Sequence, residues 1–496
     1  MSASPAASVK SHNDGSRAYN EEPEELEVNN SLKQFIVLLI ARLIEPLAYV
    51  IPFVFVNQMI EHLEPDVPKE NIGAYSGAIE SLFALFQFLT SYQWGKWSDH
   101  PSVGRKPVIL LGLFFLSICV LLFGISQSYI WAVCARVACG VLSGNGSVMR
   151  AALGEITPKN KEHIYYPIFA TTFDVAIVLG PPLGGIMVNP AEQYPGTWLG
   201  NIKFLQKYPF FLPCAFTSAV ALIASAIVLF FFDETLEAKV HRQRHIKAQA
   251  EADERTALLP EHNTADEVSP RPATAWHIVL AYPAVAQVLL AMFLQVILSL
   301  SFDSVFILFS YSDPKLGGLG LSSTGIATPF VIRGFLSMFF TAFCYAPLQR
   351  CIGPSRLYTT FVSCWFVTYG LPMVMNRLVL GDHGKGTYVS PKGMVRGALM
   401  PYMVIDMLFY ALGDAQFPLA MLAVNDSVPD KNILGATNGL ASSIAALGRA
   451  CGPFFINWAY SLSVKYGHSE AVWIGMLVIV ATAATQTRWV HFKTES

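Results

Sequence analysis

The chain has 496 residues, of which 53% are hydrophobic and only 14% charged, with a formal net charge of −2. Mean hydropathy is +0.44. A charged share about half that of ordinary globular domains excludes a soluble multi-domain enzyme. A hydrocarbon core of about 30 Å takes roughly 20 apolar residues per helical crossing, and this chain has enough apolar sequence for about twelve.

In chain order, residues 1–33 are polar and carry Glu21, Glu22, Glu24, Glu25 and Glu27. They read as a disordered tail. They lack the basic n-region and apolar h-region of a cleavable leader, so insertion falls to the first spanning helix. Apolar runs follow at 34–60, 72–94, 107–127, 130–152, 164–188 and 208–232, then at 276–310, 322–345, 357–376, 398–424, 435–460 and 470–487. The predicted fold is all-α and polytopic: twelve transmembrane helices in two six-helix bundles, 34–232 and 276–487. The charged segment 233–275 joins them and 488–496 is a second tail.

Orientation follows from where Lys and Arg sit. With the N-terminus inside, cytoplasmic segments hold 19 of the 33 basic residues and the opposite face 9, which predicts that both termini are cytoplasmic. The eight cysteines lie in or beside apolar runs without metal-ligand spacing. They read as small apolar residues, with no metal site.

Between runs two and three the chain reads Gly95-Lys-Trp-Ser-Asp99, four residues, then Gly104-Arg105-Lys106. Glycines suit a tight inter-helix turn, Asp99 can accept from backbone donors at a helix start, and Arg105 can hold a carboxylate in bidentate fashion. Run five contains Gly180-Pro181-Pro182-Leu183-Gly184-Gly185. Its prolines bend a helix and its glycines admit a close neighbour. Run four contains Arg136-x-x-x-Gly140-x-x-x-Gly144-Asn145-Gly146.

These three stretches resemble motifs of the major facilitator superfamily. The first is similar to its loop between helices 2 and 3, with two extra residues among His100 to Val103. The second is similar to the helix-5 motif of drug:proton antiporters, and the third to a helix-4 motif. Arg42-Leu-Ile-Glu45-Pro46, Asn425-Asp426-Ser427-Val428-Pro429 and Asp233-Glu234-Thr235-Leu236 look like a fungal branch related to plant zinc-induced-facilitator proteins. The resemblance implies two rocking six-helix halves around a central site, with Gly95, Asp99, Gly104, Arg105 and Lys106 as a cytoplasmic latch. It implies an antiporter face at Gly180, Pro181, Gly184 and Gly185, and a link between Arg136 and proton transfer. A snorkelling arginine is the other reading of Arg136.

Ionisable residues inside spans cost about 2.5–3.5 kcal/mol or more and need a reason. Asp174, Arg136, Glu45 and Asp303 are the proton-coupling candidates. Asp174 is singled out by its depth and by the absence of a preceding cation within a turn. Asp406, Asp414 and Tyr410 are candidates for the substrate cavity, since a carboxylate beside aromatic rings suits an organic cation. Arg42 and Glu45, three apart on one helical face, can also simply neutralise each other.

The expected function is secondary active transport of a small organic molecule by proton antiport. The expected partners are that substrate, protons and the lipid bilayer; nucleic acid is not among them, and the expected state is a monomer. No phosphate-binding Gly-x-x-x-x-Gly-Lys-Ser/Thr loop is present, and no cofactor is expected. A non-transporting sensor and an uncoupled facilitator stay open as rivals, and an intramembrane enzyme finds no catalytic His/Asp/Glu spacing. Glu254-Arg-Thr-Ala-Leu258-Leu259 resembles an acidic dileucine signal, leaving the vacuolar and plasma membranes both open.

Overall fold

The computed structural model describes residues 18–66, 72–236, 239–240, 279, 282–321, 323–381, 397, 399–428, 433–468, 470–490 and 492. Every regular element among them is helical. The first half comprises α1 (Ala18–Leu63), α2 (Ile72–Ser98), α3 (Arg105–Gly124), α4 (Tyr129–Leu142), α5 (Asn145–Ile156) and α6 (Glu162–Met187), then the short α7 (Pro190–Gln193) and α8 (Lys203–Lys207), and α9 (Phe211–Phe231). The second half comprises α10 (Pro283–Tyr311), α11 (Ser323–Phe339), a π-helical turn Phe340–Cys344, α12 (Tyr345–Ile352), α13 (Pro354–Gly381), α14 (Met400–Asp414), α15 (Phe417–Asp426), α16 (Leu434–Lys465) and α17 (Ala471–Gln486).

Among the described residues, eleven helical segments are long and apolar enough to cross a bilayer. α2, 27 residues long, is not one of the eleven, yet it packs along α4 and α16. The chain is therefore an integral, multi-pass membrane protein. The first half is held by α1 against α6 and α9, and α3 against α9; the second by α10 against α16, and α13 against α14 and α17.

Two features repeat between the halves. Runs four and ten are each broken near mid-depth, at Ser143–Gly144 and at Ala415–Gln416. The turns before α3 and α13 each pivot on a glycine in the left-handed region, Gly104 at φ 80° and Gly353 at φ 84°. No Cβ-bearing residue adopts that geometry cheaply. The internal repeat is thus carried by backbone geometry where the side chains have diverged.

Three expectations need correction. Residues 18–33 belong to α1 rather than to a disordered tail. Once a spanning helix exists, extending it costs no new nucleation. Second, the helix of run eight does not end at 345: it continues to Ile352, and Gly353 stands in the left-handed region at the turn. Third, runs four and ten are not continuous helices. Leu258, Leu259 and almost all of 233–275 beyond Leu236 lie outside the described residues.

Candidate functional site

The loop after α2 forms a charged knot that joins the halves. Asp99 accepts from the backbone N–H of Gly435 at 2.8 Å and of Ala436 at 2.6 Å, the first free donors of α16. A helix N-terminus carries unsatisfied N–H groups and a partial positive charge, so a carboxylate there is well placed. Arg105, wholly buried, donates Nη1 to Asp99 Oδ1 at 2.5 Å and to Ser98 Oγ at 2.7 Å, and Nη2 to Glu155 Oε1 at 2.9 Å. Glu155 also accepts from Thr235 Oγ1 at 2.5 Å, and Glu234 accepts from the Arg105 backbone N–H at 2.7 Å. Lys239 closes the knot on Glu234 at 3.0 Å.

The two extra residues between Asp99 and Gly104 leave the Asp99–Arg105 pair intact. Lys106, the fifth matched residue, forms no ion pair among the described residues. Asp99 lies outside the spanning segments, and burial moves its carboxyl up to about 6, opposed by Arg105 and by the Ala436 and Gly435 amides.

Above the knot α2 and α16 touch backbone to backbone. A Cβ on Gly95 would sit 2.0 Å from the Gly435 carbonyl oxygen, and one on Gly439 2.6 Å from that of Ser91. Further hydrogen bonds cross between the halves: Asn425 Nδ2 donates to Tyr166 Oη at 2.6 Å, Arg350 Nε donates to His163 Nε2 at 2.7 Å, Arg150 bonds Ser442, and Arg449 bonds Gln87. Together with the knot they tie the two halves to each other. The loop 2–3 face is sealed in this structure.

Beyond the seal, both halves line a central cavity of about 190 Å³. Its walls carry Arg42, Glu45 and Arg150 from the first half, Asp174 from α6, and Asp414 and Arg449 from the second. Arg42 pairs with Glu45 at 2.7 Å, which bears out the local neutralisation read from their spacing. Glu45 can lie there because residue 146 is glycine: a Cβ at that position would meet Oε2 at 2.4 Å. A smaller neighbouring cavity of about 110 Å³ shares Arg42, Glu45 and Arg449 and adds Arg136 and Tyr49. Arg136 is buried, paired with Glu80 at 3.1 Å and stacked 4.7 Å from the Phe123 ring centroid.

Asp174 has Asp414, Ser337 and Arg333 as its electrostatic neighbours. The cation missing from its own helix is thus supplied by α11. Arg333 binds Asp303 directly and lies 4.6 Å over the Tyr410 ring. Tyr410 packs against Phe302 and Trp365, and its hydroxyl shares a 2.8 Å hydrogen bond with Ser299 Oγ. Of the α14 candidates only Asp414 lines the central cavity. Asp406 is wholly buried, with neither carboxylate oxygen hydrogen-bonded among the described residues, and Tyr410 is an inner packing residue. Eight residues advance a helix about 80° beyond two full turns, so the two carboxylates point in different directions, and only Asp414 reaches the cavity.

The Gly180–Gly185 stretch lies within α6 together with Pro181 and Pro182. Gly180 meets α1, where a Cβ would stand 2.7 Å from Val50 Cγ1. Sequence reading missed Glu155, Glu80 and Gln87 as partners. Each meets its arginine from 50 or more positions away in the chain, and no local spacing carries such a signal.

Two helical halves with matching breaks, meeting at a sealed face and enclosing a charged cavity, define a membrane transporter rather than an enzyme. The model of the Major Facilitator Superfamily matches residues 38–453, and the chain belongs to that superfamily. It is 25% identical over 479 residues to the major facilitator-type transporter psiT2 of Psilocybe cyanescens, covering 91% of this chain and 88% of that one. Multidrug transporter mfsB of Aspergillus fumigatus is likewise 25% identical, over 93% of this chain and 83% of its own. ZINC INDUCED FACILITATOR-LIKE 1 of Arabidopsis thaliana is 25% identical, over 85% of this chain and 82% of its own. In three dimensions the chain is similar to the human organic anion transporter MFSD10, with a TM-score of 0.65 and 17% identity, covering 92% of this chain and 99% of that one.

Proposed function

We propose that this protein is a secondary active exporter that moves a small organic molecule by proton antiport through alternating access. The observation that carries this reading is the pair Asp174 and Asp414, which face one cavity from opposite halves, both under the influence of Arg333, itself paired with Asp303. Carboxylates in a partly dry site are suited to taking up and releasing protons, and a cation shared between them can change partner as each is protonated. Asp174 is the proposed proton carrier, with Asp303 and Glu45 as reserve sites and Arg136 holding Glu80 in place. The helix-5 stretch Gly180, Pro181, Gly184 and Gly185 is proposed as the bent face on which α6 rocks against α1. Asp99 and Arg105 are proposed to hold the cytoplasmic side closed, and we read both termini as cytoplasmic and α2 as a twelfth crossing. Export of drugs or secondary metabolites is supported by the name of the multidrug relative. The membrane concerned is the plasma membrane or the vacuolar one.

The test is transport into proteoliposomes with an imposed pH gradient, across a panel of fluorescent organic anions and cations. Accumulation of any panel member that a protonophore abolishes is the expected result. Equal uptake with and without the gradient would make the protein an uncoupled facilitator instead.

A further inference from the structure

Arginines line the central cavity unevenly. Arg42, Arg150 and Arg449 all reach it, and Glu45 is the one carboxylate among them, already held by Arg42 at 2.7 Å. Arg150 and Arg449 form no ion pair among the described residues. Their hydrogen-bond partners are the neutral side chains of Ser442 and Gln87. Arg150 is 9% exposed, and its Nε, like that of Arg42, is buried without an acceptor. Three guanidinium groups against one carboxylate leave an excess of positive charge on this wall.

A buried, uncompensated guanidinium is strongly unfavourable unless something anionic visits it. Its planar fork matches carboxylate, sulfonate and phosphate oxygens in bidentate fashion. Both unpaired arginines also bridge the halves, Arg150 from α5 to Ser442 on α16 and Arg449 from α16 to Gln87 on α2. A ligand held there would contact both halves at once.

We propose that Arg150 and Arg449, with Arg42 beside them, form an anion subsite, so that the transported molecule carries an acidic group. The proton would then move on the opposite wall, at Asp174 and Asp414, apart from the substrate's charge. The inference rests on the reading that this cavity is the substrate site.

The experiment uses the purified full-length protein in lipid nanodiscs at pH 7, without any gradient. Binding is measured for three probes sharing one aromatic body: 2-naphthoate, 2-naphthylmethylammonium and 2-naphthalenemethanol. Naphthoate should bind at least about tenfold more tightly than the other two, the size of a charge-assisted contact. Arg150→Gln and Arg449→Gln should each cost naphthoate about tenfold and leave the alcohol unchanged, while Arg150→Lys should keep part of the preference. A wild-type protein that binds naphthoate no better than the ammonium or the alcohol overturns the proposal, with no variant required. So does a folded double variant that keeps the wild-type preference. Neither result depends on proton coupling, and a missing anion preference would still leave proton-driven transport of a neutral or cationic molecule intact.

Discussion

Asp99 Oδ2 accepts from the backbone N–H of Ala436 at 2.6 Å, so the loop after α2 caps the first turn of a helix that starts more than 300 residues later. Arg105 fixes that carboxylate from one side and Glu155 fixes Arg105 from the other. The contact is a helix cap delivered across the interface between halves. It stabilises one relative position of those halves and no other.

Breaking the cap should therefore bias the conformational equilibrium rather than unfold the protein. Asp99→Ala, which removes both oxygens that accept from α16, and Arg105→Ala are each expected to lower initial transport rates about tenfold, since a charge-assisted hydrogen bond contributes roughly 1.5–3 kcal/mol. Membrane abundance should stay near wild type. Glu155→Gln should show a weaker form of the same defect. Transport assays normalised to surface protein test this, and full activity in the first two variants would remove the latch.

Acid should favour the sealed arrangement. The Asp99 carboxyl stands at about 6 in the sealed state against an ordinary 3.8. A group whose value is raised in one state favours that state when protonated. The contribution is thus fully present below about 3.8 and fades as pH rises through about 6. His163 accepts from Arg350 across the same face and would lose that role on protonation, so a His163→Gln background isolates Asp99. Spin labels at Ser102→Cys and the exposed native Cys351, with Cys134 replaced by Ser, report the separation of the halves. The short-distance population should grow from pH 7 to pH 5, and Asp99→Asn should flatten the trend. Growth in the opposite direction contradicts the argument.

Gly95→Ala should act on the same equilibrium by shape. The added methyl would stand 2.0 Å from the Gly435 oxygen, backbone against side chain with no rotamer to escape into. Overpacking of this kind costs about 1–3 kcal/mol, which shifts a two-state balance roughly 5- to 150-fold. The same labels should show the sealed population depleted at every pH.

Asp174→Asn tests the proton. The variant keeps size and a hydrogen-bonding amide for Ser337 but cannot release a proton. Uphill, gradient-driven accumulation in proteoliposomes should vanish while substrate binding and downhill exchange persist. Continued accumulation against a gradient would make Asp174 structural and move the role to Asp414, Asp303 or Glu45.

Composition alone determined that this chain lives in a bilayer, because apolar runs of membrane length have few other homes. The same runs fixed the two-bundle plan. Local motifs determined the loop 2–3 knot at Asp99 and Arg105 and the Arg42–Glu45 pair, whose members lie within one turn or one tight loop and so advertise each other. What meets across the interface was decided by tertiary structure. Arg105 finds Glu155, Arg136 finds Glu80, Arg449 finds Gln87 and Asp99 finds Ala436 only once helices distant in sequence lie side by side. Asp406 shows the limit most plainly. A carboxylate on a helix predicted to line the cavity is buried away from it, because helix rotation is set by packing neighbours, and packing leaves no periodic trace at a single residue.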